Sequence, residues 1–560
     1  MIKTKQALKL HHTLLVVVFF CFISSVVQGQ NYQKPNVLMI LIDDQDLDEI
    51  GIYGGDVYTP NMDRLAAEGI KFNRAYVSST VCTPSRYSFL TGRYAGNSYS
   101  KLYQKEIGEG NQGFPGFNVA LENDKMNVAH VLSNSGYKTG FVGKYHLASK
   151  YDQPEMYEGD DVFIEGYNEG NSEQGKSISE VSEIFAHNEA WGRKYLENIG
   201  FDWAKNIYEG NVSKPFSVHN PEWTTGAVLE FIDINKDNPF FLQYCPTLLH
   251  GPDNQWVNSY DSPNITGAGI IKAPDWVMKK RKELKEKLIK EGFDPNSGDW
   301  GIAWMDAAIG DILNKLDELG IAENTLVIFA PDHGSTDKAG LFSRNGVQIP
   351  LIMRWPNKIQ AGIESDALVQ NIDLAPTYFE ITKAEIPNNY HIDGRSLVAL
   401  FENGNTKNWR DHLYFELGNA RAVMTNDLKY IALRYSKEQI EKIKSAKPEE
   451  LPKLMAPIQR LGIGTRGAIH PGFWDEDQLY DLNNDPEEWK NLAYKPYYES
   501  ELAKMKNLLT HEINNIGRPF GEFKNTGNAS SPGHINEEIK KVKQIEIKGK
   551  KIILPEYFKK

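Results

Sequence analysis

Residues 36–42 read Asn-Val-Leu-Met-Ile-Leu-Ile, apolar after the first position, and Asp43 and Asp44 follow at once. A run this short and continuous fits a strand covered on both faces in a parallel sheet, because a half-exposed strand would alternate apolar with polar residues. Similar runs recur at 140–143, at 239–244 (PFFLQY) and at 325–330 (TLVIFA). Helical signals lie between them. Thr59-Pro60, with Met62, Leu65 and Ala66 on one face before Gly69, predicts one helix. Two more are predicted over 128–136 and 303–319, the latter turning Ile309, Ile312, Leu316 and Leu319 inward. Alternating strands and helices predict an α/β fold, with a large mixed, mostly parallel sheet flanked by helices. Ligands of such sheets gather beyond the carboxyl ends of the strands, where these polar residues lie.

The chain has 560 residues, which favours one large domain over 30–400 plus a smaller α+β subdomain over 401–560. The C-terminal part reads as short strands and turns and ends in QIEIKGKKIIL, a predicted hairpin around Gly549. The stretch 151–223 is rich in polar residues and reads as inserted loops with short helices. Lys3, Lys5 and Lys9, an apolar run over 13–27 and small residues near Gly29 predict a signal peptide over 1–29. The run is shorter than the roughly 20 residues of a membrane span, so no stable membrane anchor is expected and the location is secreted or periplasmic. A net charge of -12 disfavours nucleic acid as a partner. It leaves room for a local anion pocket, since charges are screened beyond a Debye length of about 10 Å. Cleavage would leave Cys82 and Cys245, too few for a disulfide scaffold although a single bridge stays open.

Residues 82–93 read CTPSRYSFLTGR. Thr83 suits a helix cap, Pro84 a first helical position and Gly92 a stop. Cys82 is then expected just before a helix N-terminus, where free N–H groups favour negative charge, with Arg86 one turn on to hold the same anion. The plain alternative is a small buried thiol. Lys144 and His146, two apart in GKYHL, would share a face in extended chain. Asp43, Asp44 and Asp332 end two predicted strands, and their hard oxygens suit calcium or magnesium.

Cys82-Thr83-Pro84-Ser85-Arg86, continuing to Thr91-Gly92, resembles the type I sulfatase signature at every defining position. NVLMILIDD, TPNMDRLAAEGIKFNRAYV, GKYHL, APDHG, IDGRSL and LYDLNNDPEEWKNLA resemble further blocks of that family, in the family's order. The resemblance implies an alkaline-phosphatase-like fold, a catalytic domain over 30–400, and Cys82 converted to formylglycine (3-oxoalanine) by a separate maturation enzyme. It implies metal ligation by Asp43, Asp44, Asp332, His333 and the modified Cys82, with Ca2+ expected and Mg2+ the alternative. Arg86 and Lys144 would serve the anion, a base near His146 would deprotonate the second hydroxyl of the modified Cys82, and His250 would serve the leaving group. The second sulfate-binding cation is best matched by Arg344, with Lys338 its rival. The expected activity is sulfate-ester hydrolysis on a sulfated polysaccharide or oligosaccharide. A phosphonate monoester or phosphodiester hydrolase and an inactive carbohydrate-binding homologue are the alternatives. Trp191, Trp203 and Trp223 read either as sugar platforms or as buried anchors.

Overall fold

The computed structural model describes residues 33–544 except 160, 167–175, 213–215, 252–256, 296, 405–406, 459–469 and 526–530. The expected signal peptide and the Gly549 hairpin lie outside the described residues. The main sheet is built from β1 (Asn36–Ile42), β2 (Ile70–Tyr76), β3 (Lys138–Lys144), β4 (Trp203–Tyr208), β5 (Phe240–Cys245), β6 (Thr325–Pro331), β7 (Gln348–Arg354), β8 (Ile363–Ser365) and the short β9 (Val369–Gln370). Their order is β8-β2-β7-β6-β1-β5-β3-β4, with β9 also on β2. β6, β1, β5, β3 and β4 run parallel, while β7 is antiparallel to both neighbours.

Every residue of β1 is buried. Val37, Met39 and Leu41 enter one hydrophobic core, and Leu38, Ile40 and Ile42 enter the other on the opposite face of the sheet. Period-two alternation between two apolar environments is why the run has no polar position after Asn36. Each such side chain contributes roughly 1.5–3 kcal/mol through burial.

The helices that position the site are α1 (Pro60–Ala67), α2 (Cys82–Thr91), α3 (Val128–Asn134), α4 (Ile178–Ile199), α5 (Pro221–Asn235) and α6 (Asp299–Glu318). Met62, Leu65 and Ala66 of α1 are buried, as expected. Helix α2 is buried along its whole length, and Gly92 ends it in the left-handed conformation at φ 67°. Its start differs from expectation: Val81 is the N-cap, Cys82 is the first helical residue and Pro84 the third. Proline is tolerated there because the first-turn N–H groups have no intrahelical partner.

The stretch 151–223 is not simply an insertion of loops. It supplies the 22-residue α4 and the edge strand β4. Val181, Ile184, Phe185, Asn188, Trp191, Gly192, Tyr195, Leu196 and Ile199 are buried at helical spacing, which the polar composition masks.

In the C-terminal part a four-stranded antiparallel sheet joins His412–Leu417, Ala420–Thr425, Leu428–Leu433 and Asp477–Asp481. The helix Glu499–Ile516 covers it, placing Met505, Leu509 and Ile513 against Val423, Tyr430 and Leu479. This sheet is joined to the main domain by backbone hydrogen bonds such as Glu416 N–H to Ser78 O, at 3.0 Å.

Candidate active site

Four adjacent strands, β6, β1, β5 and β3, end at one place. Asp43 N–H donates to Leu248 O at 3.0 Å and Asp332 N–H to Ile42 O at 2.8 Å, so the loops after β1, β5 and β6 are tied together. Residues within a position or two of a strand end inherit the sheet's geometry, which puts Asp43, Asp44, Lys144, Asp332 and His333 side by side. Asp44 adopts φ 59°, a left-handed conformation that Asp tolerates better than most residues.

Cys82 Sγ lies 3.4 Å from His333 Nε2, 3.6 Å from Lys144 Nζ and 3.7 Å from Asp43 Oδ1. Beneath it, Arg86 donates from Nε to Asp332 Oδ2 at 2.9 Å, from Nη2 to Asp43 Oδ1 at 3.2 Å and from Nη1 to the Lys144 carbonyl at 2.9 Å. The guanidinium is 1% exposed, so its fork grips the carboxylates from below rather than reaching outward for an anion. Lys144 Nζ donates to Asp43 Oδ2 at 2.8 Å, and Lys338 Nζ to both Asp44 oxygens at 2.9 and 2.8 Å. His333 Nε2 is 3.2 Å from Asp44, and His250 Nε2 is 3.6 Å from the same carboxylate.

The electrostatics follow from burial and from neighbouring charges. Burial alone would raise Asp43, but Lys144 and Arg86 hold it well below the ordinary carboxylate range. Burial also opposes the Cys82 thiolate, yet Lys144 and Lys338 pull the thiol well below its usual value. Asp332 is pushed up to about 7, chiefly by burial. For His333, burial works against the charge, and Asp332 and Asp44 still carry it up to about 9. Lys338 is raised despite burial, mainly by Asp44.

Carboxylate oxygens of Asp43, Asp44 and Asp332 all lie within 4.8 Å of one another, and candidate ligand atoms of Cys82, Asp332 and His333 are equally close. Hard carboxylate oxygens in this number, gathered beside a histidine, fit a divalent cation.

Other expected positions fall differently. Arg344 is excluded from the cluster: its side chain is 50% exposed and pairs with Glu487 at 2.7 Å and Asp48 at 3.8 Å. Lys338 is the cation that reaches Asp44, because the chain after β6 turns back at Asp337–Gly340 before it gets to Arg344. Lys144 and His146 do not continue a common strand face. β3 ends at Lys144, His146 has φ 52°, and its ring lies 6.1 Å from Phe117. Cys82 and Cys245 are both free thiols, and burial pushes Cys245 up to about 11. Trp191 is 2% exposed and packs on Tyr157, Phe163 and Tyr195, which makes it an anchor of α4.

One residue of the cluster was missed. Asn211 follows β4 by three positions, and in the amide orientation that satisfies its neighbours it donates to Asp43 Oδ2 at 3.3 Å and accepts from Lys144 Nζ at 2.9 Å and His250 Nε2 at 3.2 Å. Its sequence signals were a glycosylation sequon, Asn-Val-Ser at 211–213, which says nothing of this role, and its place just past a strand that polar composition concealed.

A sulfatase family model matches residues 35–384, and a model of the N-sulphoglucosamine sulphohydrolase C-terminal region matches 331–456. The chain is 25% identical to an N-acetylglucosamine-6-O-sulfatase of Bacteroides thetaiotaomicron, covering 86% of this chain and 87% of that one. It is 27% identical to a sulfatase of Formosa agariphila, covering 86% and 95%. Among solved structures, a sulfatase of Bacteroides fragilis described as putative superposes with a TM-score of 0.58 at 21% identity, covering 89% of this chain and all of that one. A structure in complex with D-glucosamine-2-N,6-O-disulfate superposes with a TM-score of 0.54 at 20% identity, over 87% and 98%. Matched by its family model over more than half its length, this chain belongs to the sulfatase family.

Proposed function

We propose that the chain hydrolyses sulfate esters of a sulfated polysaccharide or oligosaccharide at a nucleophile made from Cys82. The observation that carries this reading is the placing of Cys82 at the first turn of a buried helix, within 3.7 Å of Lys144, His333 and Asp43. A thiol in that place would be a structural oddity, whereas an oxidisable side chain amid cations and acids suits transfer of a tetrahedral anion. Relatives described as N-acetylglucosamine-6-O-sulfatase and ulvan-active sulfatase support the saccharide class.

Conversion of Cys82 to formylglycine by a maturation enzyme would supply a hydrated aldehyde, with one hydroxyl to attack sulfur and a second through which sulfate is expelled. Asp43, Asp44, Asp332 and His333 would hold Ca2+, or Mg2+ in its stead, whose charge favours a deprotonated nucleophile and a polarised sulfuryl oxygen. Lys144 and Lys338 offer ammonium groups to the sulfuryl oxygens, where charge grows in the transition state. Arg86 holds the Asp43 and Asp332 carboxylates in place through its hydrogen bonds. His250, partly exposed at the edge of the cluster, would give a proton to the departing alcohol oxygen, with Asn211 orienting its ring. Among the described residues no helix is long and apolar enough to cross a membrane. An exported enzyme acting on extracellular saccharide is consistent with the N-terminal pattern.

The test is the mass of the tryptic peptide 75–86 from protein made with a maturation system, measured alongside sulfate release. Formylglycine at position 82 and complete loss of sulfate release in Cys82→Ala are expected. An unmodified thiol in fully active enzyme would sink the formylglycine reading.

A further inference from the structure

The segment 337–343 carries Lys338 and is held from the C-terminal side at both ends. At one end His470 Nε2 faces Asp337 Oδ2 at 3.2 Å, and its Nδ1 faces the Glu488 carbonyl at 3.3 Å. Both ring nitrogens meet acceptors, so both are satisfied only when the imidazole is doubly protonated. The ring is 4% exposed and lies between Phe342, at a centroid distance of 3.9 Å and 9° from parallel, and Trp489 at 4.6 Å and 20°. The Asp337 hydrogen bond holds the imidazole above its ordinary pKa although burial opposes the charge.

At the other end Glu488 accepts from the Ser343 N–H at 2.7 Å and is itself paired with the buried Lys429 at 3.1 Å. Between the clamps the chain turns tightly. Gly340 N–H donates to Asp337 O at 3.1 Å, Thr80 Oγ1 donates to Gly340 O at 2.6 Å, and Ala339 sits at φ 64°. A non-glycine residue in the left-handed region persists only where its surroundings over-determine it. Here the surroundings are the loop before Cys82 on one side and the C-terminal subdomain on the other.

We propose that His470 is a positioning residue for the reaction: from the C-terminal subdomain it holds Asp337, and through that turn it keeps Lys338 over Asp44 in the Cys82 cluster. The inference rests on the sulfate-ester reading of the site. It gives the C-terminal subdomain a part in the chemistry, because a side chain outside the main sheet sets where one of its cations stands.

A double-mutant cycle tests it. Formylglycine-bearing wild type, His470→Gln, Lys338→Ala and the double variant are assayed for kcat and KM on 4-nitrophenyl sulfate, with thermal unfolding as a control. His470→Gln is expected to lower kcat/KM about 10-fold, the scale of lost supporting contacts. In the Lys338→Ala background it should lower it by less than about twofold, because a residue acting through Lys338 has nothing left to position. Asp337→Asn removes the same ion pair from the loop side and should reproduce the result, so the inference stays exposed if the His470 variant does not fold. Equal losses in both backgrounds would overturn the positioning role while leaving the enzyme reading intact. A matured wild type that releases sulfate neither from 4-nitrophenyl sulfate nor from sulfated saccharides would instead overturn the reading of the site, and this inference with it.

Discussion

The loop after β1 and the loop after β6 both deliver charge to Cys82, over different lengths of chain. Asp43 and Asp44 are the first two residues past their strand, and the backbone bonds of Asp43 to Leu248 and Leu249 leave them little freedom. Asp332 and His333 stand in the same relation to β6 and are placed as surely. Lys338 lies seven residues past β6 and Arg344 thirteen, and there the sheet no longer dictates position. The turn at Asp337–Gly340 brings Lys338 back to Asp44, and Glu487 draws Arg344 away. Strand ends give direction to one or two residues, and beyond that a side chain's destination depends on what else grips the loop.

Substitutions at graded distances from the strand ends sharpen this contrast. The largest effect is expected at the strand end itself: Asp44→Ala removes a carboxylate that faces Lys338, His333 and His250, and should cut kcat/KM by about 10^3-fold in a sulfate-release assay. Lys338→Ala, in the gripped part of the loop, should cost about 10^2-fold, read from initial rates at saturating divalent cation. Arg344→Ala, assayed in parallel, should change kcat/KM by less than about twofold, since an exposed ion pair contributes roughly 0–1 kcal/mol to stability and the side chain stands apart from the cluster. A larger loss at Arg344 than at Lys338 would break the contrast outright. The smallest effect is a gain: Ala339→Gly relieves a left-handed alanine and should raise unfolding stability by about 1 kcal/mol or less, measured by denaturant titration.

Legibility in the sequence follows the same gradient. NVLMILI announced a strand buried on both faces, and its odd and even residues do enter separate cores. Gly92 was readable as a helix stop because a left-handed cap suits glycine. Arg86 was readable as a neighbour of Cys82, though not as the base of the carboxylate cluster, because a helix position says which side a residue takes and not what waits there. Helix α4 and strand β4 hid behind polar composition, and with them the place of Asn211 in the cluster. His146 escaped the period-two argument because its positive φ ends the extended chain.

By itself the sequence determined the apolar strands β1, β5 and β6 and the helices α1, α3 and α6, the family signature around Cys82, and the residues that stand directly at strand ends. All of these depend on local periodicity or on chain neighbours. Only the tertiary structure decided which of Lys338 and Arg344 enters the cluster, how Arg86 is used, and that His470 and Glu488 hold the loop between them. Those outcomes turn on contacts between residues more than a hundred positions apart, and no local pattern in the chain encodes the meeting of two such distant side chains.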